Sequence, residues 1–514
     1  MPPSIAEGPE ATPGHGSGSR ITGAWAVGLL LVLSAVILYG LSNPAHRNFY
    51  NHFVWQADAF LHGRTWIPYP VYAGAGMPRN DYLNDVFPLL DADGRFSGRA
   101  LIPFPPLPAL LLLPLVALWG LATDQETVAT ALGALGVAAA WWMLGGLRQR
   151  LVVRALTTIL FATGTAWWWA AATGSTWYLA HLVAVIVAFA AVGVALRRDP
   201  QAPDESSAGE RRRVTGEHDG RSRGEGTGGD VPTGVALPEA APSRLRRLGA
   251  ATWPLDRSQV LAGFLLGVAV TARMPVLLAA PWFVFVGGGG SRLRRLLSAG
   301  VGGILPVVAL LSYTYLTSGA IVHPGYDYQY QLEATGYPSL GYHRDWALED
   351  PRYVPRNLGI MLFEPPSLLP AVFPDSLGFK EPVPLCVTAG SLRTLFDAAC
   401  PVAVPVDVGT GLLLSAPGLL LALIALWNRR RSRLVAGTVL AVTPIALFNL
   451  AHFSQGWVQW GYRFSLDFLP FLLPLVALGA ARADGSPRRI AWVLLVAGAA
   501  INLWGVSWGK LLGW

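Results

Sequence analysis

Charge is what this sequence lacks most. Of its 514 residues only 13% are Asp, Glu, Lys or Arg, roughly half the share of an ordinary soluble domain, and lysine occurs only at Lys380 and Lys510. With 53% hydrophobic residues and a positive mean hydropathy, that scarcity excludes a soluble protein. Nucleotide and metal signatures are missing too: there is no P-loop, no GxGxxG after a strand and no His/Cys cluster at metal spacing. A nucleotide cofactor or donor is therefore not indicated, nor is a resident metal. Cysteine is nearly absent. Cys386 and Cys400 fall in one hydrophilic stretch, where they either pair, if that stretch faces an oxidising compartment, or remain two buried thiols.

What the chain has instead is apolar runs of about the 20 residues that cross a bilayer. They fall at 21–41, 127–146, 155–173, 176–196, 259–272, 274–287, 296–317, 408–427, 433–450, 465–481 and 489–508. The expected fold class is an all-α, polytopic integral membrane protein with about eleven to thirteen transmembrane or half-membrane helices. The run at 21–41 has full spanning length and no small-residue cleavage site, so it reads as a span and not as a secretory signal. Residues 1–20 read as a disordered tail and 199–257, dense in charge and poor in apolar residues, as a disordered linker. Two polar excursions, 43–100 and 318–406, divide the rest into a module over 21–317 and C-terminal helices over 407–514.

The net charge of +7 invites a nucleic-acid reading, but no basic face exists to support one. The arginines sit in short clusters between apolar runs, as topology determinants do. Placing Arg148–Arg154, Arg197–Arg198, Arg292–Arg295, Arg429–Arg433 and Arg488–Arg489 in the cytoplasm puts both excursions outside, in a multi-pass protein of the cell (inner/plasma) membrane. Parity then requires that 101–120, interrupted by prolines at 103, 105, 106, 108 and 114, enter without crossing.

Candidate chemistry gathers on the outer side. Residues 48–62 have helical amphipathic spacing and read as a short helix lying on the membrane, with Asp58 either a site residue or its solvated face. Asp91 and Asp93 sit in "DADGR", a turn sequence without the glutamate a calcium loop requires. Asp81 and Asp85 lie among Tyr82, Val86 and Phe87, where a partly desolvated carboxylate suits a general base; the alternative is loop acids paired with Arg79 or Arg95. Arg463, among Trp460 and Tyr462 in "WVQWGYRFSLDF", and Arg273 in "TARMP" are boundary cations suited to phosphate. Arg356 in "PRYVPRN" and His181 in "TGSTWYLAH" complete the set.

These stretches resemble the GT-C class of polytopic glycosyltransferases, and more narrowly the bacterial protein-mannosyltransferase and aminoarabinose-transferase type. The resemblance is carried by "QADAFLHGR" and "SGRALIPFPPLPALLLLP" in the first outer loop and its return. "GFLLGVAVTARMP", "YVPRNLGIMLFEPP" and "QWGYRFSLDFLPFLLPL" extend it along the chain. It implies an enzyme that moves a sugar from a polyprenyl-phosphate donor to an extracytoplasmic acceptor. Asp85 or Asp81, with Asp58 third, would be the base. Arg463 and Arg273 would hold the phosphate, and His181, Tyr462, Trp460 and Arg356 would contact substrate. The chain departs from the class at the 173–181 tip, which carries no acid: either His181 substitutes for it, or one carboxylate suffices, or the chain is an inactive scaffold. A lipid or polysaccharide transporter or flippase is the competing reading. Ion coupling would call for ionisable groups deep in the spans, and these are nearly absent.

Overall fold

The computed structural model describes residues 16–43, 50–69, 85–199, 255–336, 343–374, 383–388, 390–456 and 458–512. The tail before residue 16, nearly all of the 199–257 linker, and Asp81 lie outside them. The described chain is overwhelmingly helical. Six helices are long and apolar enough to cross a membrane: Gly23–Ser42, Gln125–Leu147, Thr176–Arg198, Arg292–Ser318, Arg433–Ala451 and Arg489–Leu512. A bent pair, Leu151–Thr163 and Trp167–Thr173, turns through 52°, and five shorter apolar helices accompany them among the described residues. The expected 274–287 span is one of these: a 3-10 turn, Met274–Ala279, runs into the single turn Trp282–Phe285.

The arginines explain how these helices are oriented. Helices begin at Arg257, Arg292, Arg433 and Arg489, where a basic residue opposes the helix dipole. Helix stability does not favour that placement, whereas retention of positive charge on one face of a membrane does. Asp256, Ser291 and Ser432 cap three of these ends by accepting from the backbone N–H of Gln259, Arg294 and Val435. The clusters meet in space: Arg154 lies near Arg197, Arg295 near Arg433 and Asp199, and Arg150 near Asp484.

The opposite, outer end is knitted together by different contacts. Asn43 Nδ2 donates to Glu126 Oε2 at 2.6 Å, and Gln125 Nε2 to the Gly174 carbonyl at 2.9 Å. The helix Leu107–Trp119 starts here, with Leu107 N–H on the Thr271 carbonyl at 3.1 Å. It also ends here, since Asp124 caps the helix that begins beside Asn43 and Gly174. Both its ends therefore lie at the same end of the bundle.

Two features differ from the sequence expectation. The short helix of the first loop, His52–Leu61, does not lay an apolar face in lipid: His52 through Ala57 and Ala59 are buried, and the helix packs on Leu107–Trp119. The first loop also contains a three-stranded antiparallel sheet. Phe96–Leu101 lies between Ile67–Pro68 and Phe87–Leu90, with Ala100 opposite both Ile67 and Pro88. Its hairpin is the "DADGR" turn, in which Asp91 Oδ1 accepts from the backbone N–H of Asp93 and Arg95. In the second loop Cys386 and Cys400 form a disulfide, which fits an oxidising outer compartment.

Small residues let the helices approach closely. On Arg292–Ser318, a Cβ added at Gly302 would stand 1.9 Å from the Val260 carbonyl oxygen, whereas one at Gly300 would meet nothing within 4 Å. Gly302→Ala therefore forces backbone apart and is expected to cost ~1–3 kcal/mol. Gly300→Ala should be neutral or slightly stabilising; unfolding of the two variants in detergent, side by side, measures the difference.

Candidate functional site

At the outer end the start of the Thr176–Arg198 helix is gripped from two sides. Ser175 precedes it as N-cap. The Tyr50 carbonyl accepts from the Thr176 N–H at 3.0 Å and from the Thr176 hydroxyl, while His52 N–H donates to Thr176 Oγ1 at 3.0 Å. On the other side the Tyr178 hydroxyl reaches the Val458 carbonyl at 3.4 Å. This fixes Trp177, Tyr178 and His181 toward the segments that complete the site.

Beneath the tip lies a buried charge cluster. Arg273 grips Asp467 with both arms of its guanidinium, Nε to Oδ1 at 3.1 Å and a terminal nitrogen to Oδ2 at 2.8 Å. Asn449 Nδ2 donates to Oδ2 at 3.2 Å. His181 Nδ1 stands 3.0 Å from Oδ1, and its Nε2 is buried without a hydrogen-bond partner. Asp467 is fully buried, so this bidentate pairing is what makes a carboxylate tolerable there.

Above it sits Arg463, one turn earlier in the same 3-10 segment, Arg463–Asp467. Arg463 is only 9% exposed. Its guanidinium lies over the rings of Phe464, Tyr178 and Trp177 at 5.1, 5.8 and 5.9 Å. It makes no ion pair at contact distance among the described residues, and its Nε is buried with no partner. Among the described residues its neighbours are these aromatic faces, the Tyr178 hydroxyl and, at longer range, the Asp85 carboxylate.

Facing it is Asp85. Its backbone N–H donates to Gln329 Oε1 at 2.9 Å, and its carboxylate accepts from the Trp177 indole. Asp85 belongs to the first excursion, and Gln329, on the helix Gly325–Gly336, to the second. Phe87 packs edge-on against His323 and Tyr328, so the two loops meet directly over the site. Burial pushes the Asp85 carboxyl up to about 6, against the opposing pull of the Trp177 hydrogen bond and the Arg463 charge. Tyr326 is an electrostatic neighbour of Asp85, Arg273 and Glu349. Glu349 in turn approaches His452 Nδ1 at 3.2 Å.

The structure thus brings Asp85, Arg463, Arg273, His181 and Tyr462 together, the last through its electrostatic contact with Arg273 and Arg463. Asp58 stays at the end of its own helix, 3.8 Å from Arg64 and 3.6 Å from His62. Trp460 is buried in helix packing. Its Nε1 donates to Asn502 Oδ1 at 2.9 Å, and Gly505 leaves room for its ring. Arg356 is exposed beside Glu364. Asp467, Trp177, Asn449 and Gln329 were not foreseen. Asp467 alone left a mark in the sequence, as a lone acid opening a twelve-residue apolar helix.

No metal-competent group of three His, Cys, Asp or Glu side chains occurs among the described residues. The chemistry the arrangement offers is a carboxylate base beside an anion-binding guanidinium.

Removing one partner of the lower cluster should be costly, because it strands a buried charge. Arg273→Met is expected to destabilise by ~3–5 kcal/mol, and Arg273→Met with Asp467→Leu by clearly less than the two single changes summed. A thermal-unfolding double-mutant cycle on the detergent-solubilised protein measures that coupling.

No family model matches this chain, and no curated protein matches it. Among solved structures, the crystal structure of the Archaeoglobus fulgidus oligosaccharyltransferase in its apo form aligns with 96% of this chain at 11% identity and a TM-score of 0.44. The chain spans 56% of that protein's length, and a likeness so distant carries no argument about what this chain does.

Proposed function

We propose that this protein is a membrane glycosyltransferase that moves a sugar from a polyprenyl-phosphate carrier to an acceptor on the outer face, with Asp85 as general base. The observation that carries this reading is Arg463: buried, without a carboxylate partner at contact distance, and set opposite a half-buried acid whose pKa is raised. A phosphate ester supplies the missing anion, and a carrier whose tail lies in the bilayer delivers it at this depth.

The step is a displacement. An acceptor hydroxyl oxygen attacks the anomeric carbon while the bond from that carbon to the phosphate oxygen breaks. The hydroxyl proton passes to the Asp85 carboxylate, and the bonding electron pair leaves with the polyprenyl phosphate, whose growing charge Arg463 neutralises. Arg273 already spends both arms on Asp467, so its part is to hold the floor on which Arg463 stands. His181 Nδ1 faces the Asp467 carboxylate, so its buried Nε2, without a protein partner, is placed to accept from a hydroxyl of the donor or acceptor. The site is built from first-loop, second-loop and membrane elements together, as a reaction between a water-borne acceptor and a lipid-borne donor requires.

A base with a pKa of about 6 is ionised at neutral pH and loses its role as it protonates. Transfer should therefore be flat above about pH 7 and fall roughly tenfold per unit well below pH 6. Asp85→Asn should remove that limb and ~10²–10⁴ of the rate. Arg463→Met should weaken donor use at least as strongly, while Asp58→Asn leaves the rate near wild type. Release of polyprenyl phosphate from a labelled sugar carrier in proteoliposomes reads all three; wild-type rates from Asp85→Asn would end this assignment.

A further inference from the structure

The second outer loop holds a small unit whose surface chemistry the transfer site does not use. Ser367–Leu368 pairs with Ala403–Val404, and the Cys386–Cys400 disulfide closes the loop between them. Within it, Leu392, Leu395 and Phe396 are 84%, 53% and 52% exposed, and Val387 is 78% exposed. The charged side chains of the same stretch turn away. Arg393 donates to the carbonyls of Pro370 and Pro401 at 3.2 and 2.7 Å, and Asp397 accepts from the Ala399 N–H. Leu392, Leu395 and Phe396 are the large side chains left outward, with the small polar Ser391 and Thr394 beside them.

The height of this segment can be read from what holds it. The Leu395 carbonyl accepts from two indoles of the last spanning helix, Trp504 Nε1 at 3.1 Å and Trp508 Nε1 at 2.8 Å. That helix starts at Arg489 on the arginine-rich face. At 1.5 Å per residue, Trp504 and Trp508 lie about 22 and 28 Å along its axis, and a hydrocarbon core is about 30 Å thick. Leu395 is therefore held beside the helix at the depth of the outer leaflet. Irregular backbone at that depth needs protein partners for its polar groups; the two indoles supply them for the Leu395 carbonyl, and Thr394 N–H donates to the Cys400 carbonyl at 3.1 Å.

We propose that residues 392–396, with Val387 beside them, form a dipping segment that inserts Leu392, Leu395 and Phe396 among the acyl chains of the outer leaflet. The disulfide and the Trp504 and Trp508 hydrogen bonds pin it next to the last helix. It tethers the second outer loop, and through Gln329 the roof over Asp85, to the membrane surface from which a lipid substrate arrives.

The test uses the full-length protein, with Cys386–Cys400 intact, in phosphatidylglycerol vesicles. Nitroxide labels on Leu392→Cys and Phe396→Cys should be relaxed more by oxygen than by a water-soluble nickel chelate. A label on Asp93→Cys, at the exposed hairpin tip of the first loop, should show the reverse order. Because a new cysteine can disturb the disulfide, unsubstituted protein is also irradiated in vesicles whose lipids carry a diazirine near the middle of the acyl chain. Adducts on the 391–398 peptide support insertion. Nickel accessibility at Leu392 and Phe396 equal to that at Asp93, or acyl adducts confined to the spanning helices, overturns it, whether the face is then open to water or covered by another protein.

Discussion

Asp467 is the point on which the outer half of the molecule turns. It is fully buried, and a carboxylate without water must be neutralised by partners or it will not stay charged. Its partners come from far apart in sequence: Arg273 lies 194 residues away, His181 on the Thr176–Arg198 helix, and Asn449 on the helix before the Arg463 turn. Satisfying one acid therefore brings the ends of three membrane segments to a common place. A buried ion pair is weak evidence for stability, but it discriminates sharply between one arrangement of helices and its neighbours. In a bilayer, where apolar contacts between helices gain little over contacts with lipid, that discrimination carries more weight than it would in water. Arg463 inherits its position, because the turn that carries it is fixed at the Asp467 end.

How much of this can be read from the residues follows the strength of each physical signal. Long apolar runs and arginine clusters report on transfer to hydrocarbon and on topology, and both act over whole segments. The helices, and the gathering of the arginine clusters at one end of them, were accordingly legible. So was the "DADGR" turn, a local hydrogen-bonding pattern. The first-loop sheet was not, because its strands are two to six residues long and Pro68 and Pro88 interrupt the alternation. The 52–61 helix misled for a related reason. Its amphipathic spacing marks a face to be buried but does not say whether lipid or protein buries it, and the Leu107–Trp119 helix takes that place. Around the site, Asp85, Arg463, Arg273 and His181 stood out because charge is scarce. Trp177, Asn449 and Gln329 did not, since a tryptophan near a membrane boundary, an asparagine in a helix and a glutamine in a loop each have commoner explanations. Their roles exist only through long-range contacts that no local pattern encodes.

Six described non-glycine residues have positive φ, a region that non-glycine residues avoid and β-branched ones most of all. Arg148, Leu369 and Cys386 lie elsewhere, but Tyr50, Asp85 and Val458, at 54°, 58° and 51°, gather at the site. Tyr50 and Val458 supply the carbonyls that hold Thr176 and Tyr178 from either side, and Asp85 sits opposite the indole between those two residues. Conformations of this kind persist only where surrounding contacts over-determine them, and they are found at binding and reacting centres. The cost is met by ladder-like contacts on either side: Gln329 on the Asp85 amide, and Gln459 Nε2 on the carbonyls of Val408 and Gln455, both at 2.8 Å.

The two acids of the site then divide in a way their surroundings dictate. Asp467 has its oxygens committed to Arg273, Asn449 and His181 and can take up no proton without breaking that set. Asp85 has one indole and a more distant guanidinium, and burial has already moved its proton affinity toward neutrality. When two titratable groups in one site are pushed apart like this, the environment has assigned their tasks. Asp467 is tied into the ion pair with Arg273; on the proposed reading Asp85 is the acid that exchanges a proton. The tip at 173–181 carries no acid: the carboxylate beneath it, Asp467, arrives from the far end of the chain, and the tip contributes the Trp177 indole, the Tyr178 phenol and the His181 imidazole.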